Sequence, residues 1–305
     1  MVLEICIIKV DMKDNTKANI LAFLTVLLWG SGFPFTRAIG GEISPYSLVF
    51  IRCFLAAFCL VIIGVKVGLR KPFERKHLLW FFFTGLCGFS LYSVCYNLGL
   101  ETLDSAAASV VSATCPIFTA ILALIVYKEK INVLGWVSML TAFAGVVVLM
   151  MWDSGVSIAI GAVYILIMSV LFAAYSIAAR KLGDIGYTAF ETVTYSACFA
   201  AIESVFFLPG AVTDMLHASA AANLSALYLG AFTCGLAYYL WGKALTLTDN
   251  TTRVANFIYL NPLIATIIGF IILNEIPSVS TIIGGVTIVA SVILFGIKGT
   301  KKESL

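Results

Sequence analysis

Charge is what this sequence has least of. Only 11% of its 305 residues are Asp, Glu, Lys or Arg, against about 25% in a typical soluble domain. Histidine is close to missing, with His77 and His217 the two present, both at the edges of apolar runs. That placement excludes a Ser–His dyad at mid-membrane, and no HExxH zinc motif occurs. Paired aspartates within an apolar run are absent, which removes the apparatus of an aspartyl protease. A nucleotide-binding loop is absent too, which argues against ATP as a driving force. The eight cysteines form no CxxC pair, so they suggest neither a metal site nor a disulfide framework. They read as small apolar residues. No enzyme, metal, cofactor or nucleic-acid partner is expected.

What remains is apolar. Hydrophobic residues make up 61% of the chain and the mean hydropathy is +1.04. About 20 apolar residues span a bilayer as a helix. Ten such runs occur, near 19–38, 44–68, 78–100, 105–127, 132–151, 157–179, 187–208, 223–245, 252–273 and 279–297. The segment from Met1 to Lys17 carries Glu4, Lys9, Asp11 and Asp14 and lacks the form of a signal peptide, so the first run is expected to act as its own insertion signal.

The positive charges are distributed unevenly. With both ends on one side, that side collects seventeen cations, among them Lys66, Arg70, Lys71, Arg75, Lys76, Arg180, Lys181, Lys243 and Arg253. The other side receives Arg37. This bias predicts both termini in the cytoplasm and a multi-pass protein of the cell membrane. No loop is long enough for a soluble domain.

The chain repeats itself. Pro116 is followed by an apolar run that ends at Glu129, and Pro262 by one that ends at Glu275, at the same distance. Tyr92 falls opposite Tyr238, Asn97 opposite Lys243, and Arg37 opposite Arg180. Five runs precede a junction near Asp153 and five follow it. An odd number per half turns the second half upside down in the membrane. The expected fold is therefore all-α and polytopic, with ten transmembrane helices as two inverted five-helix repeats at 19–151 and 157–297, flanked by tails at 1–18 and 298–305. Matched proline interruptions point to a transporter's central site, and Pro34, Pro116 and Pro262 are candidate hinges.

The WGSGFPF segment at 29–35, the Arg52-Cys-Phe54-Leu-Ala56 pattern in the second run, and the two proline–glutamate blocks followed by Gly-rich runs resemble the EamA-type transporters of the drug/metabolite transporter superfamily. The resemblance covers 19–297. It implies ten helices in two inverted repeats, and movement of small organic metabolites, usually export. Lys243 departs from the expected pattern. The leading expectation is a secondary, non-ATP transporter that exports amino acids or related compounds by alternating access, as a monomer or homodimer in the lipid bilayer. A transporter of lipid-like or cationic drug molecules, or a scramblase, is the alternative.

Candidate residues follow from cost. Arg52 lies about eight residues into its run, or ~12 Å along a helix, where a charge is expensive and faces a bundle interior or wet cavity. It is either a substrate contact or a structural ion pair. Lys243 is either a cavity charge or a snorkelling side chain. Glu129 and Glu275 clamp helix ends or carry protons. Glu203 and Glu191 are weighed the same way, with solvation at the interface favoured. Trp29, Phe33, Tyr92, Tyr96, Tyr175, Tyr239, Trp241 and Tyr259 are aromatic candidates for the substrate site, packing being the alternative. Asn261, before Pro262, is a buried amide in need of a partner.

Overall fold

The computed structural model describes residues 14–128, 131–152, 156–247 and 256–298. Glu129, the junction near Asp153, Arg253 and most of both tails lie outside these residues. Among the described residues the elements are helical apart from an isolated bridge at Ile131.

Among the described residues the helical elements follow one another and group by their breaks. They are α1 (Asp14–Ala38), α2 (Pro45–Val67), α3 (Arg75–Leu100), α4 (Ser105–Tyr127), α5 (Val133–Trp152) and α6 (Val156–Asp184). The bent pair α7 (Ala189–Glu203 with Val205–His217) comes next, then α8 (Ala220–Tyr228, Leu229–Leu236, Ala237–Leu247), α9 (Asn256–Leu260 with Asn261–Leu273) and α10 (Val279–Lys298). Six of these are long and apolar enough to cross a membrane, and α7 is a seventh if its two arms form one span. The described apolar parts of α5, α9 and α10 are shorter. The helix pair α7 bends by 47° just after Glu203.

Local sequence explains the helix starts. Ser44 caps α2 by accepting the Ser47 amide at 3.2 Å, and Pro45 follows where no amide is needed. Asp104 caps α4 through the Ala107 amide at 2.6 Å. Thr188 and Glu191 form a reciprocal capping box at the start of α7. Glu191, solvated in the sequence reading, is buried: it also accepts the Lys71 amide at 2.6 Å.

The duplication is written in the backbone. α3 loosens into a π-helical turn at Leu86–Ser90, and α8 does so at Leu229–Leu236. α4 breaks at 113–114, before the helix that holds Pro116. α9 begins as a 3-10 turn before the helix that holds Pro262. Each of these two helices ends on a left-handed residue, Lys128 (φ 56°) and Asn274 (φ 54°). The same number of residues separates Lys128 from Asn274 as separates Pro116 from Pro262. The halves also interlock: α2 packs on the π turn of α8 and α7 packs on the π turn of α3, while α1 packs on α8 and α9.

Candidate substrate cavity

A cavity of about 780 Å³ lies between the halves. The floor is built around Arg52, a residue only 4% exposed. Its Nη1 donates to Asn97 Oδ1 at 3.1 Å, and its Nε and Nη2 point at Cys234 Sγ at 3.4 and 3.5 Å. The guanidinium stands over the Tyr96 ring, 4.7 Å from its centroid. Asn97 is itself anchored, donating from Nδ2 to Pro45 O at 2.8 Å. Among the described residues Arg52 has no carboxylate partner. Asn97 and Cys234 belong to different halves, so this one side chain ties them together.

Aromatic rings form the walls. Tyr92 stacks on Tyr96 at 6.1 Å, and Phe33 tilts against Tyr96 at 5.2 Å. Trp29 meets Tyr238 at 5.5 Å and Trp241 at 5.3 Å, and its Nε1 donates to Thr233 O at 3.2 Å. Tyr175 packs on Phe172 at 5.6 Å. Asn261 also lines the cavity, and its Oδ1 is buried without a hydrogen-bond partner. Among the described residues that line it, Arg52 and Arg180 are the charged ones, and there is no Asp, Glu, Lys or His.

The two ends of the cavity differ. The lining reaches Arg180 and Gly183 at the end of α6 and Tyr187 just beyond. That end of the bundle is basic, with Lys71 4.5 Å above the Tyr187 ring and bonded to Ile185 O at 2.7 Å. Arg180 lies over the Tyr127 ring at 4.0 Å. At the opposite end the Arg37 guanidinium pairs with the Glu275 carboxylate and donates to the carbonyls of Leu100 (3.0 Å) and Leu103. Glu275 also accepts the Ser105 amide at 3.0 Å. A smaller hollow of about 340 Å³ lies beyond, lined by Arg37, Asn97 and Glu101.

Of the residues named from sequence, Trp29, Phe33, Arg52, Tyr92, Tyr96, Tyr175, Trp241 and Asn261 line the cavity. Tyr239, Lys243 and Tyr259 are not among the residues that line it. Tyr239 is turned to Phe190, with ring centroids 5.3 Å apart. Lys243 is one turn further along the same face of α8 and is carried away with it. The face of α8 toward the cavity holds Tyr238, Trp241 and Gly242. Tyr259 donates to Val292 O on α10 at 3.4 Å and packs there. Pro116 lines the cavity and Pro34 is buried inside α1. Phe89, Phe172, Arg180 and Cys234 also line the cavity without having been singled out as binding candidates, and so does Tyr238. Tyr238 lies opposite Tyr92 in the repeat, and that match is the signal that finds it.

The EamA-like transporter family matches this chain twice, over residues 16–151 and 159–297. The chain belongs to that family. A transporter of Archaeoglobus fulgidus is 30% identical to this EamA-like protein, over 92% of this chain and 97% of the relative. A probable terminal-alkyne amino-acid exporter of Streptantibioticus cattleyicolor is 26% identical, over 95% and 97%. An S-adenosylmethionine uptake transporter of Rickettsia prowazekii is 27% identical, over 88% of each. A protein of known crystal structure is 20% identical and covers 92% of this chain and 96% of its own, with a TM-score of 0.59, a likeness of fold.

Proposed function

We propose that this EamA-like protein is a secondary transporter that exports small organic metabolites bearing a carboxylate, amino acids and related compounds first among them. Arg52 carries the proposal. Burying an ion costs several kcal/mol unless a counter-charge compensates, and the described residues bring Arg52 none. A substrate carboxylate at the cavity floor supplies it. The Asn261 oxygen and the ring faces suit the amino group and apolar body of such a solute. Among the described residues the cavity lining has two guanidiniums and no acid, which disfavours cationic drugs.

In this reading the ten segments are ten spans, in two inverted repeats of five, crossing the cell membrane with both termini in the cytoplasm. The basic end, reached by the cavity, then faces the cytoplasm, and Arg37 and Glu275 close the outside. A binding site that loads from the cytoplasm suits export, as does the relative named an amino-acid exporter. Pro34, Pro116 and Pro262 serve as hinges for alternating access.

The test starts with a thermal-shift screen of the purified protein against amino acids, nucleosides, polyamines and quaternary amines, since a ligand of the folded state raises its stability. Labelled amino acids that stabilise it are then followed in proteoliposomes. Saturable outward movement that Arg52→Ala abolishes is expected. Stabilisation by polyamines alone, or movement of labelled lipid with no movement of solute, overturns the proposal.

A further inference from the structure

Glu203 is a second membrane-embedded ionisable group, and it lies behind the cavity wall rather than on it. It is the last residue of the first arm of α7, at the 47° bend. One carboxylate oxygen, Oε2, accepts from the Ser90 hydroxyl at the end of the π turn of α3. The other, Oε1, is buried and has no hydrogen-bond partner. No cation pairs with Glu203 among the described residues.

An ionised carboxylate held this way lacks both a counter-charge and a second donor, and each deficit is costly away from water. The neutral acid removes the charge, and its proton occupies Oε1. The neighbourhood offers no substitute charge. Among the described residues, the titratable groups close enough to feel a Glu203 charge are the thiols of Cys53 on α2 and Cys87 on the π turn, and neither is a cation. Arg52, on α2, is turned to Asn97 and Cys234. Tyr175 on α6 and Tyr238 on α8, two other elements packed on α7, line the cavity instead.

Position links this group to the cavity. Gly88 and Phe89, in the same π turn that ends at Ser90, line the cavity. π turns and helix bends are where a span deforms most readily. Glu203 joins one of each.

We propose that Glu203 is a proton-binding site whose occupancy sets the conformation of the transporter, so that a proton is exchanged for the exported solute. This rests on the transporter reading above. In the conformation described the Oε1–H bond is intact. When the α7 bend and the π turn move and water reaches Oε1, that bond breaks, the proton passes to water and the electron pair stays on the carboxylate.

Two measurements on the full-length protein in lipid test this without any substrate. The first is the infrared carbonyl band of a protonated carboxylic acid, recorded across a pH titration. The wild type is expected to show a band at neutral pH that vanishes in alkaline buffer, is missing in Glu203→Gln and persists at a shifted frequency in Glu203→Asp. Its absence from the wild type, or its survival in a folded Glu203→Gln protein, overturns the site. The second is maleimide labelling of Cys115, which lines the cavity, with the other cysteines replaced by serine. Maleimide reacts with the thiolate, so the rate is divided by that of the same thiol in the unfolded protein at each pH. This ratio is expected to change about five-fold or more between mildly acid and mildly alkaline buffer, the range of ordinary coupling energies, and to lose that dependence in Glu203→Gln. A band without pH-dependent labelling overturns the coupling. Failure of the amino-acid flux assay leaves both readouts standing, so the two proposals fail separately.

Discussion

The guanidinium of Arg37, at the end of α1, is paired with the carboxylate of Glu275, just beyond α9. One contact thus joins the two halves at the end of the bundle away from Arg180. Glu275 reaches further, to the Ser105 amide at the start of α4. An ion pair this exposed, with side chains 29% and 14% accessible, is worth about 1 kcal/mol at most. That is enough to shift two nearly balanced states by about five-fold. Arg37→Ala should raise the labelling rate of Cys115 from the Arg37 side of the membrane by about that factor. The exchanged pair Arg37→Glu with Glu275→Arg should restore part of the closure. An unchanged labelling rate in both would mean that the pair does not hold this end shut.

Arg52 should separate binding from folding. Arg52→Ala strands the Asn97 carbonyl, at about 1–3 kcal/mol, but it also removes a buried charge that has no counter-ion among the described residues. These effects oppose each other, so the melting temperature should move little. Transport should fall about ten-fold or more, because a hydrogen bond to a charged group contributes about 1.5–3 kcal/mol. Arg52→Lys should not rescue it, since one ammonium cannot span Asn97 and Cys234 and stack over Tyr96. Flux and thermal unfolding measured on the same preparation decide the matter. A large drop in stability with normal flux would assign Arg52 to structure alone.

The parts of this architecture set by cost and by duplication were readable in the sequence. Arg52 was readable because a charge within an apolar run must face something polar. The paired helix breaks were readable because Pro116 and Pro262 sit at equivalent places. What could not be read was helical phase. Tyr238 and Tyr239 are neighbours about 100° apart around α8, and no periodicity separates them in a helix that is apolar almost throughout. Lys243, one turn beyond Tyr239, shares its face. The π turns at Leu86–Ser90 and Leu229–Leu236 shift that phase further and have no residue signature of their own. The Glu203–Ser90 contact depends on one of these turns, which explains why Glu203 looked like an interfacial carboxylate.

Gly88 should tolerate no side chain. A Cβ there would lie 2.4 Å from Tyr175 Cδ2 and 2.8 Å from its Cγ, well inside contact distance. The atoms are on the ring, close to its attachment, so the clash cannot be relieved by a small terminal rotation. Gly88→Ala should cost about 1–3 kcal/mol, as overpacking does, and should push Tyr175 within the cavity. Gly32 is the control. Its Cβ would meet the Tyr96 hydroxyl at 3.4 Å, so Gly32→Ala should unfold at nearly the wild-type temperature. Equal melting temperatures for the two variants would show that Tyr175 is free to move aside.

The matched left-handed residues give the last prediction. Lys128 and Asn274 end equivalent helices at φ 56° and 54°. A left-handed conformation costs an ordinary L-residue about 1–2 kcal/mol, whereas Asn adopts it readily. Glycine removes that cost but adds about 0.5–1 kcal/mol of unfolded-chain entropy. For Lys128→Gly the first effect exceeds the second, and the protein should gain up to about 1 kcal/mol. For Asn274→Gly there is little strain to relieve, so stability should stay level or fall slightly. Thermal unfolding of the two single variants in the same detergent measures the difference directly. The duplicated halves share a backbone turn here but not its strain. A gain at Asn274 with none at Lys128 would reverse the argument and place the strain in the second half.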